Sequence, residues 1–229
     1  MWKYVLGIYA ILSNAITAYC QEQSQIYVYA YSWTPGFCHN QNYPGCMDPL
    51  LYWESNFTIH GLWPQYSVSG YPASCTTEPF DAAIPAQIGE EKMVQYWPNV
   101  QSTENSSSYD SFWEHEWSKH GTCTGLSQTD YFDYALGLTN RIPTPKIVYD
   151  SIGKNISADE LRTSFGGSSR VALQCNNQML VGVYTCWNQT NGIPSVQIEC
   201  PVSVVKEDTC LKSSEILIVG LSTSRDKQN

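Results

Sequence analysis

Residues 112–123, FWEHEWSKHGTC, and residues 57–66, FTIHGLWPQY, carry three of the four histidines in this chain. In the first stretch, two histidines, a glutamate and a lysine fall within six residues, in the company of two tryptophans. Buried polar groups need partners, so this density is costly for a plain core segment. It suits a site that moves protons around an anion. Read as a helix stepping about 100° per residue from His115, the stretch puts Lys119 at ~40°, Phe112 at ~60°, Glu116 at ~100° and His120 at ~140°. Trp113 and Trp117 follow at about 160° and 200°. One face therefore carries the reactive groups, and the adjoining face offers two indoles to a core. Gly121 suits the helix end, and Cys123 can pin that end covalently.

The second stretch alternates as a strand does, so Thr58 and His60 share a face. Gly61 and Pro64 are expected to end this strand and expose Trp63 in a turn. A bridge from Cys75 to Cys123 would tie the two histidine segments together. His39, between Cys38 and Cys46, reads as a surface residue. A zinc site is the competing reading of the helix. Zinc hydrolases space their histidines as H-E-x-x-H, one turn apart. Here His115 and His120 are one residue too far apart, and Lys119 would sit beside the cation. No metal and no cofactor is expected.

Strand-like runs occur at 26–33, 57–61, 170–175, 179–187 and 195–200, and helical patterns near 81–96, 109–120, 129–141, 145–153 and 157–165. Ser157 and Glu160 form a capping box for the last of these. Helices dominate the middle and strands both ends. This segregation predicts an α+β fold with a single domain over 21–229, its central, mostly antiparallel sheet flanked by helices. Residues 1–20 read as a signal peptide: Lys3, an apolar run too short to span a membrane, then Ala18-Tyr19-Cys20. Cleavage after Cys20, with Ala18 as the alternative, leaves eight cysteines, Cys38, Cys46, Cys75, Cys123, Cys175, Cys186, Cys200 and Cys210. An even set in a secreted chain reads as a four-disulfide staple. Sequons stand at Asn56, Asn105, Asn155 and Asn188. Net charge is −9 over the full chain. RNA could then be held only locally, by a few cations and stacking aromatics, not by a broad basic surface.

His60-Gly61-Leu62-Trp63-Pro64 and Phe112 through Cys123 resemble the two active-site segments of the ribonuclease T2 family. Ser32-Trp33-Thr34-Pro35-Gly36, Tyr96-Trp97-Pro98 and the run from Tyr131-Phe132 to Leu138 extend the resemblance over most of the chain. It implies bridges Cys38–Cys46, Cys75–Cys123, Cys175–Cys210 and Cys186–Cys200. It also implies metal-independent cleavage of single-stranded RNA through a 2′,3′-cyclic phosphate. On this likeness His120 is the base for the 2′-OH and His60 the acid for the departing 5′-oxygen. His115 binds phosphate, and Lys119 and Glu116 stabilise the transition state. Trp63 and Tyr71, with Gln65 nearby, would take the upstream base. Phe112 would take the downstream one, with Asn99 and Val100 contributing; Ser32 stands where many relatives carry glutamine.

These features lead us to expect a secreted or vacuolar/lysosomal acid endoribonuclease. It would be monomeric, without a membrane anchor and inactive on DNA, which lacks the attacking hydroxyl. The alternative is a catalytically silent extracellular RNA-binding or signalling protein on the same fold. Acidic solution should favour activity, since it protonates the acid histidine and reduces repulsion between RNA and an acidic protein.

Overall fold

Strand β1 (Gln25–Ser32) is buried along almost its whole length because both of its faces are covered. Tyr27, Tyr29 and Tyr31 point into the main core, where their hydroxyls donate to the carbonyls of Gly192, Ala135 and Ile142. Ile26 and Val28 point the other way, against Ala172, Cys186 and Val204. The structure, a computed structural model, describes residues 24–104 and 106–221. The expected signal segment and the sequon at Asn105 lie outside the described residues.

The other strands are β2 (Thr58–Tyr66), β3 (Lys154–Ser157), β4 (Val171–Asn176), β5 (Met179–Thr190), β6 (Ile193–Ile198) and β7 (Glu215–Ile218). They build one seven-stranded sheet in the order β2-β1-β5-β7-β3, with β4 and β6 also paired to β5. Every pairing is antiparallel except a short parallel contact of β5 with β7 at Met179 and Leu217. The fold is thus α+β, with a mostly antiparallel sheet flanked by helices. Among the described residues no helix is long and apolar enough to cross a membrane.

Helices cover the tyrosine face of β1. The longest, Gln128–Arg141, starts at Ser127, whose hydroxyl accepts from the Asp130 amide, and buries Tyr131, Phe132, Ala135, Leu136 and Leu138. Trp33, Trp97, Trp113 and Trp117 fill the same layer with under 2% of their surface exposed. Each indole N–H donates to a backbone carbonyl, those of Val219, His60, Trp97 and Glu78 respectively, so no buried donor is wasted. Truncating such an indole to alanine costs about 3–5 kcal/mol. Four bridges, Cys38–Cys46, Cys75–Cys123, Cys175–Cys210 and Cys186–Cys200, staple the periphery. Cys75–Cys123 closes a 48-residue separation, which on chain-entropy grounds is worth about 4 kcal/mol.

The structure corrects several expectations. β2 does not stop at Gly61; it runs on to Tyr66, with Pro64 opposite Tyr27 and Trp63 opposite Val28. Proline is tolerated there because β2 is the outer strand of the sheet, where one ladder side is open. Trp63 is therefore a half-buried strand residue, not the tip of a turn. The 81–96 pattern splits into helices Ile84–Ile88 and Glu90–Tyr96 at Gly89, whose φ of +112° favours glycine. Only Lys146–Tyr149 of the 145–153 pattern is helical. The four-residue strands β3 and β7 are too short to announce themselves by alternation. Gly121 is not in the left-handed region. It opens a 3-10 turn, and a β-carbon there would collide with the Trp117 ring.

Candidate active site

Two elements bring the reactive side chains together. β2 lies at the sheet edge and carries a bulge: Ala30 pairs with Gly61 and Tyr31 with Ile59, so His60 is the extra residue. A bulge re-aims the side chain at its apex. His60 leaves the ladder and enters a cleft, while Trp97 Nε1–H holds its carbonyl at 2.9 Å. Thr58, Ile59 and His60 all line this cleft, so its lining does not follow the alternation of a regular strand. The second element is the helix Ser111–Lys119, anchored by Trp113 and Trp117. It presents Phe112, His115, Glu116 and Lys119, and His120 follows as its C-terminal cap.

Trp63 is the joint between the two. Its indole N–H donates to Glu116 Oε2 at 2.8 Å. Its ring meets the edge of His60 at 5.1 Å and stacks on His120 at 5.2 Å with 26° between the planes. Tyr184 of β5 packs against it at 5.1 Å. Gly61 makes this approach possible, since a β-carbon there would collide with both Glu116 Oε2 and Trp63 Nε1. Glu116 is only 1% exposed, and its Oε1 lies 3.9 Å from His60 Nε2, a Coulombic distance rather than a hydrogen bond.

The electrostatics follow from this crowding. Burial pushes the Glu116 carboxyl up to about 8, against the opposing pull of the Trp63 hydrogen bond and of Lys119. Burial and then the charges of Lys119, His115 and His60 lower His120 to about 3. Burial first, then His115 and Lys119, lower His60 to about 4. Its side chain keeps 43% of its surface, so solvent and any bound anion reach it more readily than they reach His120, which is 5% exposed. His115, at the surface, is lowered by partial desolvation and by Lys119. His120 Nδ1 is buried without a hydrogen-bond partner. Lys119 forms no ion pair among the described residues.

The remaining residues named from the sequence divide. Tyr71 is 55% exposed and 6.5 Å from the His120 ring. Its loop is held to the helix end by the Ser74 amide on the Lys119 carbonyl and by Cys75–Cys123. Phe112 packs on His60 at 5.5 Å. Ser32, Asn99 and Val100 line the adjoining cavity, but the Asn99 amide is spent on Tyr109, Ser108 and Ser111. Gln65 is buried in β2, and His39 is exposed on a separate loop. Asn155 and Asn188 are exposed, whereas the half-buried Asn56 amide donates to Tyr52 and Ser55. Reading the sequence missed Phe37, Gln101, Ser102 and Ser111 in the cleft wall. It also missed the parts played by Tyr184 and Trp97. An aromatic beside a bridged cysteine, as Phe37 is, was the one available signal.

Comparison with known proteins agrees with this geometry. The family model described as "Ribonuclease T2 family" matches residues 24–200. Ribonuclease 1 of Arabidopsis thaliana is 32% identical over 216 residues, covering 86% of this chain and 90% of that one. Extracellular ribonuclease LE of Solanum lycopersicum is 31% identical, covering 77% and 80%. Among solved structures, ribonuclease MC1 from the seeds of bitter gourd superposes with a TM-score of 0.63 at 27% identity, over 85% of this chain and 100% of that one.

Proposed function

Because the chain belongs to the ribonuclease T2 family, we propose that it is an acid endoribonuclease that cleaves single-stranded RNA through a 2′,3′-cyclic phosphate. The observation that carries this reading is the pair of imidazoles, His60 and His120, packed on one indole beside a buried carboxyl. His120 takes the proton of the 2′-OH. The oxygen attacks phosphorus, and the P–O5′ bond breaks as His60 gives its proton to the leaving oxygen. In the second step water replaces the 5′-oxygen and the two roles reverse. His115 and Lys119 bind the non-bridging oxygens, where charge grows in the transition state. Glu116, protonated below about 8, donates to the phosphoryl group without repelling it.

The surroundings of the two imidazoles support the assignment. The acid should hold its proton at a pH where the base has lost its own. His60 keeps 43% of its side-chain surface, whereas His120 is buried with Nδ1 unpartnered, so a proton is carried at less cost on His60. Burial and the neighbouring charges hold both below the ordinary value for histidine, in keeping with an acid working range. A bound phosphate favours the cationic forms and moves both upward. No metal step is needed in this scheme. Four disulfides and the exposed sequons at Asn155 and Asn188 favour a secretory route, ending outside the cell or in a vacuole- or lysosome-like lumen. We take the mature domain to be 21–229, monomeric and without a membrane anchor.

Digesting a defined oligonucleotide in EDTA, with mass spectrometry of the ends, tests the reading. Products ending in 2′,3′-cyclic phosphate are expected, and a matched DNA strand should stay whole. Activity abolished by EDTA, or products with 5′-hydroxyls but never a cyclic phosphate, would overturn the mechanism. An inert wild-type protein that still binds RNA would favour the silent alternative.

A further inference from the structure

The cleft does not end at Phe112. A cavity of about 390 Å³ is lined by His60, His115 and Phe112 and also by Ser32, Phe37, Gln101 and Ser102. That volume suits a ligand of several rings or groups rather than a single ring. Its lining carries two imidazoles, those of His60 and His115, and no lysine, arginine, aspartate or glutamate. The imidazoles suit phosphate, and the uncharged remainder suits the other parts of a nucleotide.

Phe37 is 38% exposed, yet it is not loose. Tyr43 stacks on it at 5.9 Å with 20° between the rings, and Cys38–Cys46 closes the turn behind it. The Gly45 amide donates to the Val100 carbonyl at 2.9 Å, and a β-carbon at Gly45 would strike Val100. The aromatic turn is thereby locked onto the cleft wall. A rigid aromatic surface binds at low entropic cost. In a chain of net charge −9, stacking is the available means of extending a grip on single-stranded RNA.

We propose that Phe37 is the platform for a second nucleobase on the 3′ side of the cut, the one following the base at Phe112. The direction follows from His60, the leaving-group imidazole, which shares the cavity with Phe37, while His120, Trp63 and Tyr71 lie outside its lining. The ligand is a nucleobase of any identity, because every base offers a π-face. The proposal rests on the ribonuclease reading above.

The experiment uses chimeric oligonucleotides with one 2′-OH, on the first nucleotide, followed by one or two deoxynucleotides. Only the first bond can be cut. In the wild type, kcat/KM for the trinucleotide should exceed that for the dinucleotide by about fivefold to a hundredfold, the worth of one base–aromatic stack. In Phe37→Ala this ratio should fall close to one, and in Phe37→Tyr it should persist. A wild-type ratio near one overturns the proposal. So does an equal loss on both lengths in Phe37→Ala, which would make Phe37 part of the first base's seat. Phe37→Leu serves if melting shows the alanine variant misfolded. Affinities of fully deoxy di- and trinucleotides give the same ratio without turnover. A length gain in binding without any cleavage would keep the seat and sink the ribonuclease reading. Cleavage without a length gain would do the reverse.

Discussion

The two imidazoles differ more than the proton-carrying role proposed for both suggests. His60 leaves a strand bulge, keeps 43% of its side-chain surface and lies 3.9 Å from a carboxyl oxygen. His120 ends a helix, is 5% exposed, stacks face to face on Trp63 and leaves Nδ1 without a partner. A proton on His60 has solvent to screen it. A proton on His120 meets only Lys119, His115 and His60. On the proposed mechanism this difference orients the chemistry: the stranded imidazole stays neutral and accepts, and the solvated one donates.

Removing each imbalance in turn should break this comparison. The largest effect is expected from His60→Ala and His120→Ala, each losing roughly 10²–10⁴-fold in kcat on RNA, the usual contribution of a general acid or base. They should then part on a substrate whose 3′-phosphate carries an aryl leaving group. A phenolate departs without a proton, so His60→Ala should recover most of its rate while His120→Ala stays impaired. Equal recovery of both variants would show that the two roles are not separable as assigned.

Lys119→Gln should also reduce the rate, by roughly tenfold to a hundredfold for the lost cation, and should change the pH dependence unevenly. Lys119 is the foremost charge lowering His120 and only the second, after His115, lowering His60. Its removal should raise both, and the change in the gap between base and acid reports how unequally it acts on them. Histidine titrations by NMR across pH 2 to 8 would measure that gap. An unchanged His120 would place Lys119 too far away to act on it.

Much of this site was legible in the residues, and the reason differs for its two halves. On the helix, the 100° step separates the reactive face from the indoles whatever the rest of the fold does, so Trp113 and Trp117 fell inward and His115 and Lys119 outward as expected. Burial of Glu116 did not follow from the wheel, because Trp63 covers it from another element. On the strand, local pattern was a poor guide. Gly61 and Pro64 read as an ending, but the extra residue at His60 is defined by the partner register at Ala30 and Tyr31, which no local window contains. Gly61 serves contact with Trp63 and Glu116, not turning. The four bridges came from family likeness; spacing alone leaves 105 pairings of eight cysteines open.

Trp63→Phe sharpens the comparison further by keeping a ring against both imidazoles while deleting the bond to Glu116. A hydrogen bond to an ionised carboxylate lowers its pKa, so Glu116 should titrate higher than in the wild type. Turnover should fall by about tenfold, with KM little changed if the indole orients the carboxyl, and with KM raised if it chiefly stacks a base. Infrared or NMR titration of the carboxyl, beside steady-state kinetics, separates the two.

The smallest expected effect is on stability, and there the groups oppose each other. His60 and His120 sit below the unfolded value of 6.5, so the folded state binds fewer protons than the unfolded chain, and both reduce stability as pH falls from about 6.5 toward their folded values. Glu116, raised from 4.5 to about 8, does the opposite: its contribution is fully present below 4.5 and is lost as pH rises through 8. Between about 4.5 and 6.5 the two histidines outweigh the single carboxyl, so the melting temperature should still rise with pH, less steeply than the histidines alone would give. Glu116→Gln removes the second trend alone. Its melting temperature should then climb more steeply than the wild type's up to about pH 6.5 and level off above it, where the wild type declines, whereas a curve parallel to the wild type would mean that Glu116 is already ionised in the folded protein.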